Sequence, residues 1–521
     1  MSSALRPPSL GPIVGHATPN SVRIWIRGAE SGESRTVGVA ALFKEKKYVP
    51  DSSRYFRLRR EYDRTGTIDF DGLQADTKYR VRVASLMVDS ATVNAHIADE
   101  DIFTKLPLAK VWKEDLEQLA VEESEAEFRT FPDRQDTGLS FVFGSCRYPC
   151  IPLKASLSDR IFDAIYKRFQ SVGEGASSPR FMLMVGDQIY ADTLSRFIPV
   201  GLADTEAEFR DRYMSAFGSP NMRRLLRSVP HYMTLDDHEI EDNWVQGRIK
   251  DRDKRVLFNM AISAYMSYQW LHSPRNYDKR LYYEFECAGY PFFVTDGRTQ
   301  RIRDDEDKIL EDNHMFGTPA KGSPDSSYKG QVDILCDWLK AQQARVGDRP
   351  KFLVSGSVFA PNNVDSVVRT NALGCVKDNR WKDAAWAAFP ETRRQILKTI
   401  LDHHVQNVVF LSGDIHCSNV SEIGFHHKEN GPLPLKAFAI TSSAFYWPFP
   451  FADGNPLDYV HDSKLEGDGF EVSPDVTMHY KSKDFEQDDN FMEVKIDATT
   501  ITAETINKKG ESIRTSVLQL A

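Results

Sequence analysis

Phe181-Met182-Leu183-Met184-Val185-Gly186-Asp187-Gln188-Ile189-Tyr190 is the stretch on which the fold turns. Val408-Val409-Phe410-Leu411-Ser412-Gly413-Asp414-Ile415-His416 has the same form. Each is a mostly apolar run of strand length that stops at glycine and is followed at once by aspartate. A short run without alternation reads as a strand covered on both faces, the habit of parallel sheets. Glycine lets the backbone turn sharply, so the next residue projects from the strand's carboxyl end. In open α/β sheets that edge is where ligands bind. Asp187, Tyr190, Asp414 and His416 offered over one sheet edge point to a metal-binding hydrolase.

Outward from these runs, the chain from residue 138 onward reads as strand then helix. Leu139-Ser140-Phe141-Val142-Phe143 ends in Gly144-Ser145-Cys146. A helix from Ser158 to Phe169 places Ile161, Phe162, Ile165 and Phe169 on one face. His231-Tyr232-Met233-Thr234-Leu235 runs into Asp236-Asp237-His238-Glu239, and Phe292–Thr295 and Phe352–Ser355 are further strands. Met492–Ile496, Thr500–Ile506 and Ile513–Leu518 alternate, and are expected to be antiparallel strands closing a second sheet. Residues 138–521 thus read as α/β, with helices outside two packed sheets in four layers, α/β/β/α.

The first hundred residues form a separate unit. Ser21–Arg27 and Tyr79–Val83 alternate polar and apolar, as half-buried strands do. Leu73 stands six residues before Tyr79 at a strand start, which resembles the tyrosine corner of fibronectin type III and immunoglobulin-like β-sandwiches. Residues 1–105 are assigned to that unit and 106–137 to a connector, with a helix expected over Lys113–Phe128.

Length and composition bound the function. At 521 residues, two units are expected. The chain is 41% hydrophobic and 27% charged, an ordinary globular balance. With 66 Lys+Arg against 75 Asp+Glu the net charge is −9, so no broad basic field exists to hold a nucleic-acid backbone, although a local basic pocket is compatible with that balance. No apolar run approaches the roughly 18 residues of a membrane span. The N-terminus shows neither a signal-peptide core nor a twin-Arg pair, and the six cysteines make no disulfide framework, so cytoplasm is the expected location.

Five strand ends carry metal-competent side chains: Cys146; Asp187 with Tyr190; Asp237, His238, Asp242 and Asn243; Asp296 with Arg298; Asp414 with His416. Carboxylate and phenolate oxygens suit a hard ion, whereas thiolate and imidazole favour a transition metal. The mixed set argues for two unlike metals sharing a bridging Asp. Two such ions can clamp a phosphoryl group.

The ordered series Gly144-Ser145-Cys146, Gly186-Asp187-x-x-Tyr190, Asp236-Asp237-His238-Glu239, Asp296-x-Arg298 and Gly413-Asp414-x-His416 resembles the PhoD-like alkaline phosphatases, a branch of the calcineurin-like metallophosphoesterases. Gly330-Gln331 ahead of Trp338, Phe389-Pro390 ahead of Arg393, Thr441-Ser442-Ser443 and the N-terminal sandwich agree with it. The resemblance implies a phosphate monoesterase or phosphodiesterase using a metal-bound hydroxide at a two-metal centre, most often Fe3+ with Ca2+, with Mn2+, Zn2+ or Co2+ as substitutes. Cys146 and Tyr190 would bind the ferric ion, Asp187 would bridge, and Asp414 and His416 would complete the shell. Asp237 with Asp242 or Asn243 would supply the second site. His238 is the candidate general acid, or a donor to the phosphoryl group. Arg298 would reach a phosphate oxygen, or else pair with Asp296 beneath the site. The expected partner is a small phosphate ester.

Read singly, these residues have plainer uses. Cys146 would be a core thiol, Tyr190 a sheet-edge aromatic, and His238 a brace for neighbouring carboxylates. Cys150 and Cys417 read as packed thiols. His403-His404 near a helix end and His426-His427 in a polar loop read as surface residues. The run Phe445-Tyr446-Trp447-Pro448-Phe449-Pro450 either stacks a ligand or simply packs. Two other functions compete: a degenerate hydrolase scaffold serving as a binding protein, and hydrolysis of another ester or a lactone at the same metals.

Overall fold

The computed structural model describes residues 5–30, 35–88, 106–133, 138–149, 155–171, 178–192, 202–275, 280–304, 306–318, 329–449 and 454–521. Cys150, the end of the N-terminal unit at 89–105 and residues 134–137 of the expected connector lie outside these.

Two sheets carry the site. The first runs His231–Thr234, Met182–Val185, Leu139–Gly144, Asn490–Ile496, Thr500–Asn507, Ser512–Gln519 from edge to edge. Its first three strands are parallel and the rest antiparallel. The second runs Tyr283–Cys287, Tyr290–Val294, Lys351–Val354, Val408–Ser412, Gly431–Thr441, Ser418–His427, Val476–Glu486, Phe470–Ser473. The four strands from Tyr290–Val294 to Gly431–Thr441 are mutually parallel.

The apolar runs are apolar throughout because both faces are covered. Leu183 and Val185 point into the layer between the sheets, where Phe141 stacks on Phe181 at 5.2 Å and meets Phe292 and Phe352 edge-on at 5.4 Å. Each such ring contributes roughly 1.5–3 kcal/mol by burial. Met182 and Met184 point the other way, into the core beneath helices Ala155–Ser171, Glu206–Gly218 and Arg252–Tyr268. Helices Gln331–Val346 and Pro390–Asp402 cover the second sheet over Phe293, Leu353 and Phe410.

Three expectations are corrected. The three C-terminal strands extend the first sheet instead of closing a second one. Leu139 pairs with Ile496 and Phe143 with Met492, and this register sends Met492, Val494 and Ile496 into the inter-sheet core. The antiparallel end of the second sheet is supplied by Ser418–His427, Val476–Glu486 and Phe470–Ser473. His426 and His427 therefore end a strand instead of lying in a loop. The helix expected over Lys113–Phe128 is broken into Lys113–Gln118 and a single turn at Val121–Ser124, and Glu125–Arg129 is a strand paired with Lys78–Val88. Period-two burial prevails there: Ala126 and Phe128 turn inward, and Phe128 stacks on Tyr79 at 5.9 Å.

The N-terminal residues form one three-stranded sheet and one six-stranded sheet, and the latter takes its sixth strand, Glu125–Arg129, from the expected connector. Tyr79 opens the Lys78–Val88 strand, and its hydroxyl accepts from the Gln74 N–H at 3.0 Å, closing the corner the spacing suggests. The unit is fastened to the rest of the chain: Trp25 Nε1 donates to the Ser267 carbonyl at 2.8 Å, and Tyr268 donates to Asp63 at 2.5 Å. Among the described residues no helix is long and apolar enough to cross a membrane.

Candidate metal centre

Because the three parallel strands of one sheet and the four of the other end side by side, their carboxyl termini deliver the predicted residues to one place. Cys146 and Asp187 come from the first sheet, and their side chains meet with Sγ 3.3 Å from Asp187 Oδ2. Asp236, Asp237 and His238 follow the His231–Thr234 strand. Asp414 and His416 follow Val408–Ser412 in the second sheet, and His416 Nε2 lies 3.5 Å from the Tyr190 hydroxyl. Ligand atoms of Asp187, Asp237 and His238 fall within 4.8 Å of one another, as do those of Asp236, Asp237 and Asp414.

The turns that achieve this are strained. Cys146, Asp187, Asn243, Asp414 and His416 all have φ between 50° and 70°. A non-glycine residue in this left-handed region costs roughly 1–3 kcal/mol and persists only where its surroundings hold it. The hold is visible. Glu239 accepts from the N–H groups of Asp187 (3.1 Å), Gln188 (2.7 Å) and Asp236 (2.9 Å). Ser443 Oγ accepts from the His416 N–H and donates to Cys146 Sγ. Gly186 and Gly356 make room for Asp236, since a Cβ on either would lie 2.5–2.6 Å from its side-chain atoms.

Electrostatically the site is short of positive charge. Burial and neighbouring carboxylates push Asp414 up to about 8, and burial pushes Glu239 to about 7. Burial and Asp187 raise the Cys146 thiol, and burial raises the Tyr190 phenol well above its ordinary value. Burial and His238 depress His416 to about 3. Asp237 goes the other way: burial would raise it, but Arg298, His238, the Asn243 N–H and Arg301 together outweigh burial and bring it to about 2. Asp187 Oδ1, Asp236 Oδ2 and Asp237 Oδ1 are buried without a hydrogen-bond partner among the described residues. Buried acceptors normally find a donor, so these oxygens mark where a cation fits. The donor set of carboxylates, phenol, thiol and imidazole suits such an ion.

Several roles look different in place. Arg298 is fully buried, and its guanidinium bonds Asp236 and lies 3.4 Å from Asp237, not against Asp296. Asp296 instead accepts from the backbone N–H groups of Arg298 and Thr299. Asn243 N–H donates to Asp237 at 2.7 Å, and its side-chain amide donates to Asp242 at 2.8 Å. Both residues therefore stay beside Asp237, with the Asn243 amide oxygen as its ligand-competent atom. His238 stacks on the Tyr190 ring at 4.2 Å. Its Nδ1 lies 2.8 Å from Asp192, a residue the sequence reading passed over although it stands two places after Tyr190. Asp236 and Glu239 were also given no role, despite lying inside a recognised motif. Trp447 is half-buried and stacked on His416 at 3.7 Å, so the aromatic run packs against the centre.

Known proteins place this arrangement. The solved structure of PhoD superposes on 100% of this chain and 90% of its own, with a TM-score of 0.63 at 15% identity, a likeness of fold. GAP50, the anchor in the inner membrane complex of Plasmodium, aligns over 74% of this chain and 90% of its own at 12% identity with a TM-score of 0.32, too slight to bear on the fold. Over 228 residues the chain is 22% identical to alkaline phosphatase D of Bacillus subtilis (strain 168), which takes in 42% of this chain and 36% of that protein. The match thus spans about a third of the length of that relative. The profile of the PhoD-like phosphatases matches residues 157–447, more than half of the sequence, and the chain belongs to the PhoD-like phosphatase family.

Proposed function

We propose that this protein hydrolyses phosphate mono- or diesters of small molecules at a two-metal centre. In this reading the body of the chain is a four-layer α/β/β/α sandwich and the N-terminal unit is fibronectin type III-like. The observation that carries it is the pair of buried, unpartnered carboxylate oxygens on Asp187 and Asp236, beside an Asp237 oxygen that has no hydrogen bond and only the Arg298 guanidinium 3.4 Å away. Cys146, Tyr190, Asp187, Asp414 and His416 would hold one ion, with Fe3+ the best match to thiolate and phenolate. Asp187, Asp237 and the Asp242-Asn243 pair would hold the other, with Ca2+ the match to oxygen donors. Bound there, the metals would activate water and neutralise charge on the phosphoryl group.

The chain's own residues supply the rest. Burial alone would lower the pKa of His238, but Asp192 and Asp187 together outweigh it and raise it well above its ordinary value. With Nδ1 on Asp192, Nε2 is left to give its proton to the departing oxygen. Arg298, spent on Asp236 and Asp237, orients ligands and does not grip substrate.

Elemental analysis, paired with hydrolysis of p-nitrophenyl phosphate and bis-p-nitrophenyl phosphate across pH, tests the reading. About two metals per chain, iron among them, with turnover of either ester is the expected result. Protein that stays metal-free and inactive after reconstitution with iron, calcium, manganese and zinc would make it a degenerate scaffold.

A further inference from the structure

Away from the metal centre, a cleft of about 430 Å³ opens between the N-terminal unit and the segment that follows helix Arg252–Tyr268. Arg23, Arg57 and Arg59 line it from one side, Trp270 and Arg275 from the other. Four arginines line one cavity in a chain of net charge −9, and among the described residues no Asp or Glu does so. We propose that this cleft is a second ligand site, taking a small phosphate-bearing polyanion.

The charges of Arg23, Arg59 and Arg275 are under-compensated. Arg23, with its side chain 8% exposed, is held rigidly: Nε and Nη2 grip Asp69 at 2.7 and 3.2 Å, and Nη1 donates to the Ser273 carbonyl. Arg275 reaches the same Asp69 at 2.5 Å, so one carboxylate serves two guanidinium groups. Arg59, half exposed, has Glu61 at 3.7 Å, beyond hydrogen-bonding distance. Like charges gathered around a concave, partly desolvated wall repel one another, and an anion with several oxygens relieves that repulsion. The planar guanidinium fork matches phosphate oxygens two at a time. The volume falls in the range of small-molecule pockets, roughly 300–1,000 Å³. Trp270 is half-buried, with its Nε1–H fixed on the Arg280 carbonyl at 2.9 Å, so its ring is a preset surface for a planar group. Both inorganic oligophosphate and a nucleotide carry the required chemistry. None of these residues belongs to the metal centre, so the cleft stands whether or not that centre hydrolyses esters.

Calorimetric titration of the protein as purified, with inorganic tripolyphosphate and with the non-hydrolysable β,γ-imido analogue of ATP, tests this. The partner variant is Arg59→Glu/Arg275→Glu, whose side chains are 50% and 63% exposed and bear little on folding. Saturable binding is expected in the wild type, weakened at least about 10-fold in the variant, with melting temperature and ester turnover unchanged. If the double variant melts early, Arg59→Gln alone should still weaken binding several-fold. Tighter binding of the nucleotide, lost in Trp270→Leu, identifies a nucleotide ligand, and equal binding of the two probes identifies oligophosphate. Absence of saturable binding, or an affinity unmoved by the charge reversals, overturns the proposal.

Discussion

At the seam between the N-terminal unit and the rest of the chain, Arg27 meets Asp63 at 2.8 and 3.0 Å, Tyr268 adds a hydroxyl, and both charged side chains are 9% exposed. Burial would raise the pKa of Asp63, but Arg27 and Tyr268 more than reverse it. At the strand-end edge, Asp187, Asp236 and Asp237 each keep a buried oxygen with no hydrogen bond among the described residues, only that of Asp237 has a cation near it, and the pKa values of Asp187 and Asp236 are driven up. The two regions bury similar groups and dispose of their charge in opposite ways. A carboxylate whose partner is in the chain is architecture, whereas one left short marks the place for something from outside.

That contrast is sharpest where one charge is removed from each side. Asp187→Asn should lower turnover of phosphate esters by on the order of 10³-fold, the equivalent of several kcal/mol of metal-borne stabilisation, and empty at least one metal position by elemental analysis. The same substitution should leave the melting temperature of metal-free protein level or higher, since it relieves repulsion among Asp187, Asp237 and Asp236. A large drop in metal-free stability would show that Asp187 is architectural after all.

Arg27→Ala should behave in reverse. It strands Asp63 and Tyr268 in the seam, and breaking such a pair costs about 3–5 kcal/mol. Denaturant melts should record that loss, while metal content and the kcat of the folded fraction stay near wild type. Loss of activity without loss of stability would erase the distinction between the regions.

Between these extremes lies Asp192, which is partnered and yet serves the site. Asp192→Asn keeps the shape but weakens the hold on His238 Nδ1. A fall of about 10–100-fold in kcat is expected, larger for an alkyl phosphate than for the p-nitrophenyl ester, whose leaving group needs no proton. An equal fall on both would limit His238 and Asp192 to positioning.

The seam also titrates. Burial depresses His231 to about 4, and burial with His231 and Arg23 depresses His272 to about 3. Their unfolded value is near 6.5, so between pH 6.5 and 4 the unfolded chain binds more protons. Stability is therefore full above pH 6.5 and lost as pH falls through that window, by about 1–2 kcal/mol per histidine at pH 5. Thermal melts from pH 7.5 to 4.5 should show the decline, and a flat profile would mean these imidazoles are hydrated in solution.

How much of this could be read beforehand depended on range. The strand–Gly–Asp turns were legible because a both-faces apolar run, a turn residue and a ligand lie within ten residues. Asp192 was not, because its partner His238 stands 46 residues away and only the fold joins them. Gly356, in the loop-like Ser355-Gly356-Ser357, gives no local sign that its missing Cβ makes room for Asp236. Alternation in Met492–Ile496 fixed which residues face inward but not which sheet they join, since period two carries no partner information. Glu125–Arg129 was masked by Glu and Ala, good helix formers overruled by packing of Ala126 and Phe128.

The smallest effect bears on the N-terminal unit alone. Tyr79 is buried, stacks on Phe128, and spends its hydroxyl on the Gln74 N–H. Tyr79→Phe keeps the ring and removes that acceptor, which should cost about 0.5–1.5 kcal/mol. Because the corner lies outside both the seam and the strand-end edge, the loss should appear in chemical denaturation and leave metal content, ester turnover and acid sensitivity where they were. A change in any of the last three would mean that the unit's internal packing reaches the centre. The line between a region that satisfies itself and one that waits for a ligand would then be less sharp than the disposition of its charges implies.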